Sequence, residues 1–103
     1  MSGFVLHPDA VTDLEEIWEF IAAENADAAD QIIEEIREAI RALVPFPHQG
    51  HLRSDLTSRL LRFQPVRSYL IAYAPEEDPL LVVAVLHGRR NPRVIAALLR
   101  GRG

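Results

Sequence analysis

The feature that most constrains how this chain can fold is a pair of amphipathic helical patterns separated by only a few residues. In "PDAVTDLEEIWEFIAAEN" the apolar residues recur at helical steps, at Val11, Leu14, Ile17, Trp18 and Ile21. In "AADQIIEEIREAIRALV" the same period is carried by Ile32, Ile36, Ala39, Ile40 and Leu43. Two helices with so short a connection predict an antiparallel hairpin that buries one apolar face.

The residues around the two patterns supply start and stop signals. Pro8 suits a first helical turn, and the acidic residues after it favour the positive end of the helix dipole. In "ENADA", Asn25 and Asp27 are candidates for ending the first helix and capping the second. Because Pro45 and Pro47 cannot continue a helix, we expect the second helix to end just before them.

The rest of the chain changes from a helical period to short β-rich runs. "FVLHP" predicts a short first strand that ends at a proline, and "SRLLRFQP", "SYLIAYAP" and "PLLVVAVLHG" predict three more. The turn cluster "PEEDP" predicts that the last two strands form an antiparallel hairpin. "NPRVIAALLRG" predicts a short closing helix with Asn91 as its cap, Pro92 in its first turn and Gly101 beyond its end.

This order of elements, β, α, α, β, β, β, α, predicts an α+β fold. We expect an N-terminal strand, a helical hairpin packed on one face of the sheet, a three-stranded antiparallel part and a short C-terminal helix. The 103 residues contain no internal repeat and no low-complexity tract, so a single domain over residues 1–103 is expected.

Composition excludes several classes of protein. The chain is 49% hydrophobic and 25% charged, which is typical of a globular domain, and without cysteine it has no disulfide or thiolate chemistry. No apolar run approaches the roughly 20 residues of a spanning helix, so we expect a cytoplasmic protein without membrane contact. The histidines lack the spacing of a zinc site, and neither a metal nor a cofactor is expected. They are His7, His48, His51 and His87.

Charge is distributed unevenly along the chain. Residues 1–50 contain eleven acidic residues and two arginines, whereas residues 51–103 contain four acidic residues and nine arginines. A domain polarised in this way can attract an acidic partner on one side although its net charge is −4. An acidic helix surface beside scattered, solvated arginines remains an open alternative.

The stretch "VVAVLHGRRNP" brings His87, Arg89 and Arg90 to the exposed end of a buried strand. A histidine titrates near neutral pH and can act as a general acid or base, and the two arginines can hold a phosphate. In the structural interpretation, His87 bonds to a loop carbonyl and its ring packs beneath the closing helix. No acidic residue close in sequence orients His87, which favours the structural interpretation.

Five features in order resemble the RelE/ParE superfamily of toxins from type II toxin–antitoxin modules. They are the element order, the opening "PDAVTDLEEIWEFI", the "PFPHQG" after the second helix, "SYLIAY" and "VLHGRRN". The likeness covers nearly the whole chain and is greatest for the ParE branch. It implies a toxin that inhibits DNA gyrase by binding and is neutralised by a cognate, ParD-like antitoxin that wraps its surface.

The RelE branch, whose members cut messenger RNA on the ribosome, makes a different chemical demand. Cleavage needs a proton acceptor, a proton donor and cations on the phosphate. Ribonucleases of this branch carry an arginine in the middle strand, where this chain has Leu70. No catalytic residue is therefore expected. Under the ribonuclease alternative the candidates are His87, Arg89, Arg90 and Arg53. A third alternative is an inert member that only binds its antitoxin.

The closing helix is short and carries more apolar residues than one narrow core stripe requires, so some apolar surface should remain for a partner. We expect the C-terminal half of the antitoxin to fold across the sheet and this helix, with acidic residues that meet arginines. The expected contacts are Arg59, Arg62, Arg67, Arg89, Arg90, Arg93 and Leu98. An ordinary solvated arginine face is an equally open alternative.

Overall fold

The computed structural model describes residues 3–102 and confirms the predicted α+β order of elements. The elements are β1 (Phe4–Leu6), α1 (Pro8–Ala22), α2 (Ala26–Leu43), β2 (Arg62–Val66), β3 (Tyr69–Ala74), β4 (Leu80–His87) and α3 (Pro92–Arg100). The strands form one sheet in the order β1-β4-β3-β2. The N-terminal strand β1 joins this sheet parallel to β4, and the remaining pairs are antiparallel, as predicted.

Each helix begins at a side chain that accepts a hydrogen bond from a backbone N–H of its first turn. The caps are His7 for α1, Asn25 for α2 and Asn91 for α3, with bond lengths of 3.0, 3.0 and 2.8 Å. Such bonds satisfy N–H groups that have no partner within the helix. The predicted caps Asn25 and Asn91 are confirmed, whereas His7 was not predicted as a cap.

Helices cover both faces of the sheet. The α1–α2 hairpin buries one face, in a core that includes Ile36, Ile40, Ile71 and Val82. The short α3 and the segment 52–61 bury the other, in a core that includes Leu56, Phe63, Leu70 and Leu99. Because β3 and β4 are buried on both faces, their sequences are nearly continuous apolar runs and do not alternate.

Two residues predicted on the apolar face of α1 lie outside it. Val11 is 41% exposed and Trp18 is 38% exposed, and the Trp18 indole N–H donates to the carboxylate of Asp30 on α2 at 2.8 Å. The buried stripe contains Asp13 and Leu14. Val11 and Trp18 are seven residues apart and therefore lie on the same side of the helix, beyond the edge of that stripe.

The strand predicted at "SRLLRFQP" begins later than expected. β2 starts at Arg62, and the residues before it belong to a loop in which Leu61 is buried but Leu60 is 75% exposed. The loop packs Leu61 against the second face of the sheet and does not extend the β2 ladder. Leu61 and Phe63 therefore belong to the core, whereas Leu60 lies at the surface.

Candidate partner-binding surface

β4 ends in a tight turn that leads into α3. The Gly88 N–H donates to the carbonyl oxygen of Ser68 at 2.8 Å, and the Arg90 N–H donates to the carbonyl oxygen of His87 at 3.1 Å. As predicted, the turn leaves His87, Arg89 and Arg90 exposed together at one end of the sheet.

Neighbouring residues hold the ring of His87 in place. Its Nδ1 accepts a hydrogen bond from the Arg89 backbone N–H at 3.2 Å, and its ring meets Tyr69 edge to face at 5.6 Å between centroids. No carboxylate of residues 3–102 forms an ion pair with this ring. The expected carbonyl partner and the position beneath the closing helix are both wrong, because the exposed ring lies against Tyr69 and its partner is a backbone N–H.

The fourth ribonuclease candidate, Arg53, lies elsewhere. It makes two hydrogen bonds to the Asp55 carboxylate, at 2.8 and 2.9 Å, which raise the pKa of Arg53 and lower the pKa of Asp55. Arg53 follows His51, which pairs with Phe63 of β2, whereas His87 lies at the end of β4, and β3 stands between these two strands in the sheet. The structure therefore brings His87, Arg89 and Arg90 together without Arg53.

Three of the arginines predicted to contact the antitoxin make hydrogen bonds within the chain. Arg59 donates to carbonyl oxygens at the C-terminal end of α3, the shorter bond being 2.6 Å to Arg102. Arg62 donates to the carbonyl oxygen of Gly50 at 2.8 Å.

Arg67 is the third of these arginines, and it links the β2–β3 turn to α2. Its guanidinium makes two hydrogen bonds to the Glu35 carboxylate, which hold the pKa of Glu35 below its ordinary value and raise the pKa of Arg67. A partner that uses Arg67 must therefore compete with Glu35.

The remaining three arginines, Arg89, Arg90 and Arg93, lie in the turn after β4 and in the first turn of α3. All three are exposed, and in the described part of the chain none forms an ion pair. They are the members of the predicted set whose guanidinium groups are available to an acidic partner.

A groove of about 400 Å³ lies beside these cations, between α1 and α3. Ile17 and Phe20 of α1 and Leu98 of α3 form its apolar walls, and His87 and Arg90 also line it. Phe20 is 81% exposed, and an exposed aromatic side chain is a common anchor at a protein interface. We call this feature the α1–α3 groove.

A buried ion pair that was not predicted lies in the same groove. Arg102 makes two hydrogen bonds to the Asp13 carboxylate, at 2.6 and 2.9 Å, and the two side chains are only 11% and 9% exposed. Asp13 also accepts the Val85 N–H at 3.0 Å, and Arg102 also donates to the Val83 carbonyl oxygen at 3.3 Å. The bond to Asp13 raises the pKa of Arg102.

One signal of this pair was present in the sequence. Asp13 lies three residues after Ala10 and four before Ile17, and therefore on the buried stripe of α1. An acidic residue at such a position needs a cation or several hydrogen-bond donors. The identity of the cation was not accessible, because Arg102 is 89 residues away along the chain.

The four histidines occupy separate places. His7 caps α1, His48 contacts the Glu76 carboxylate at 2.7 Å, and His51 pairs with the outer side of β2. Residues 3–102 contain no group of three or more histidine or acidic side chains arranged to hold a metal ion. Over the same range, no helix has both the length and the apolar character that crossing a membrane requires.

The chain is also similar to a known protein family. A family model described as the ParE toxin of the type II toxin–antitoxin system parDE matches residues 4–92, from β1 to the start of α3. A search of curated proteins gives no match. The matched region includes the helical hairpin, the whole sheet and the turn that carries the exposed arginines. The chain therefore belongs to the ParE toxin family of type II toxin–antitoxin systems.

Proposed function

We propose that this protein is the toxin of a type II module, that it inhibits DNA gyrase by binding, and that a ParD-like antitoxin neutralises it. The observation that carries the proposal is the family match over residues 4–92. It is supported by the end of β4, where no acidic side chain of residues 3–102 pairs with His87 to orient it as a general base.

Binding explains the site better than ribonuclease chemistry does. In a ribosome-dependent ribonuclease, the middle strand is expected to supply a cation to the phosphate. This chain has Leu70 there, only 8% exposed in the core beneath α3. Arg53 bonds to Asp55 in the loop after His51, which pairs with β2, so it is not grouped with His87 as a second cation at the end of β4.

An acidic antitoxin fits the available surface. Arg89, Arg90 and Arg93 are exposed beside α3, and Val94 on that helix is 47% exposed. A flexible segment with alternating acidic and apolar residues would cover both features as it folds.

Inducible expression without the antitoxin tests the proposed target. We expect growth arrest with filamentation and a DNA damage response, and inhibition of supercoiling when the purified protein is mixed with gyrase. Co-expression of the antitoxin should restore growth. Rapid cleavage of ribosome-bound messenger RNA with supercoiling unaffected would contradict the proposal, and normal growth would identify an inert family member.

Two substitutions separate binding from catalysis. If the chain were a ribonuclease, His87→Ala and Arg89→Ala would each reduce cleavage by ~10²–10⁴-fold, because general acid–base help contributes about that much. Under our proposal both variants still inhibit gyrase.

A further inference from the structure

β4 is longer than the strand that pairs with its outer edge. It spans Leu80–His87, but β1 pairs only with residues 80–82. Just beyond that point two side chains take the place of a neighbouring strand. Asp13 accepts the Val85 N–H, and Arg102 donates to the Val83 carbonyl oxygen.

The last outward-facing groups of β4 have no such partner. Along an antiparallel pair, residues alternate between those that bond to the neighbouring strand and those that face away from it. Gly88 bonds to Ser68, and Tyr69 stands opposite His87 in the register. The His87 N–H and the Val85 carbonyl oxygen therefore point away from β3. Neither forms a hydrogen bond with any residue of the range 3–102.

These two groups lie where an extended peptide has room. Val85 and His87 both line the α1–α3 groove, whose volume of about 400 Å³ suits a few residues of extended chain. Phe20 and Leu98 flank the strand edge on its two sides. An extended peptide can bind to an unpaired strand edge by adding to it as a further strand, and the apolar walls on both sides can contact its side chains.

The hydrogen bonds that the outer edge of β4 already makes determine whether an added strand runs parallel or antiparallel to β4. An antiparallel partner would need both the N–H and the carbonyl oxygen of Val85, or both of His87. The Val85 N–H is already donated to Asp13, and the His87 carbonyl oxygen already accepts the Arg90 N–H, so an antiparallel strand would lose the first bond and would have to share the second acceptor. A parallel partner needs only the two free groups, because one of its residues bonds to both.

We propose that an extended segment of the antitoxin adds to the outer edge of β4 in the α1–α3 groove, parallel to β4. One residue of the segment donates its N–H to the Val85 carbonyl oxygen and accepts the His87 N–H. The segment would continue the line of β1, which is also parallel to β4.

Charge complementarity identifies the occupant. β4 runs toward Arg89 and Arg90, so residues of a parallel segment that follow the paired residue approach these two unpaired cations. The segment is therefore expected to carry apolar residues around the paired position and acidic residues on its C-terminal side. This inference rests on the proposed function, because it assumes that an antitoxin is the partner.

Removal of one backbone donor tests the inference. His87→Pro removes the outward N–H and leaves the β3–β4 ladder intact, because the His87 N–H is not part of that ladder. His87→Ala is the matched control, since it loses the same ring and keeps the N–H. We expect the His87→Pro chain to bind the purified antitoxin about tenfold more weakly than His87→Ala, as the loss of one hydrogen bond predicts. Equal affinities would overturn the inference.

Amide hydrogen exchange on the unmodified chain provides a second measurement. The His87 amide should exchange rapidly in the free toxin and slowly in the antitoxin complex, whereas the Leu86 amide, which faces β3, should be slow in both. An unprotected His87 amide in the complex would contradict the inference and leave the proposed function standing. Failure of the antitoxin to bind at all would contradict both. Concentration-dependent protection in the free toxin would overturn the inference by identifying a second copy as the occupant.

Discussion

At the scale of single residues, Asp13 and Arg102 form the most demanding contact in the protein. Two nearly buried side chains of opposite charge satisfy each other and two backbone groups of β4. Removal of Arg102 leaves the Asp13 carboxylate buried without a cation, and removal of Asp13 leaves the guanidinium of Arg102 with only the more distant Asp9 carboxylate, at 3.7 Å; either change is more costly than the loss of an exposed pair.

We therefore expect Asp13→Ala to lower the free energy of unfolding by about 3 kcal/mol in urea titrations. The matched control is Glu15→Ala, an exposed acidic residue of the same helix, whose effect should stay within about 0.5 kcal/mol. If both variants unfolded at the same urea concentration, the stabilising role assigned to the pair would be incorrect.

The Arg67–Glu35 contact predicts a dependence of stability on pH. Arg67 lowers the pKa of Glu35 in the folded chain from an ordinary value of 4.5. The stabilisation of the folded chain that results is present above the ordinary pKa. It is lost as the pH falls through the lowered pKa, because the unfolded chain takes up the proton first. Between about pH 5 and about pH 3, the free energy of unfolding should change less with pH in the Glu35→Gln variant than in the original chain. An equal pH dependence in the two proteins would show that the Arg67–Glu35 contact does not contribute to it.

At the scale of elements, α3 depends on contacts beyond its own sequence. It has nine residues, and isolated helices of that length are unstable in water. Ile95 and Leu99 pack it on the sheet, while Arg59 bonds to carbonyl oxygens at its C-terminal end, where helix carbonyls lack internal partners.

Arg59→Ala should therefore loosen α3 selectively. We expect faster amide exchange in residues 95–100 and unchanged exchange in α1 and α2. Arg100→Ala is the control, because Arg100 is exposed on the same helix and forms no ion pair within residues 3–102. Equal exchange in the two variants would show that Arg59 does not stabilise the helix end.

The elements most accessible to sequence reasoning were those with a strong local signal. Asn91, Pro92 and Gly101 bound α3 as predicted, because capping and chain-ending preferences act over a few residues. The prediction that Trp18 belongs to the apolar face of α1 was wrong, because helical spacing gives the direction of a side chain around the helix and does not show how much of the helix surface the sheet covers. β2 began late because the preceding loop is shaped by its packing on the second face.

At the scale of the whole molecule, the six arginines predicted to contact the antitoxin divide into two groups of three. Arg59, Arg62 and Arg67 hold the fold together, and the turn after β4 carries unpaired cations. Sequence reasoning grouped them together, because a count of charges does not show which ones are paired with chain segments far away in sequence. It did identify the exposed cluster at "HGRRN", where exposure follows from a local turn.

This division predicts different effects of charge reversal on antitoxin binding. Arg89→Glu combined with Arg93→Glu should weaken the complex most at low salt, because exposed charges are screened by ions. Arg37→Glu, on the hairpin, should change affinity little. Binding measured by calorimetry at two salt concentrations checks both statements. A complex unaffected by the double reversal would place the antitoxin on another surface.

The contact between Asp13 and Arg102 also bears on how long the toxin persists. It joins segments 89 residues apart, and because a contact between distant segments requires a large loop to be closed, we expect it to form late in folding. Interactions that form after the rate-limiting step scarcely change the folding rate, and they slow unfolding. We therefore expect stopped-flow measurements on Asp13→Ala to show a faster unfolding rate and a nearly unchanged refolding rate. A protein that unfolds slowly is a poor substrate for proteases that require an open chain, so this contact should lengthen the lifetime of the toxin in the cell.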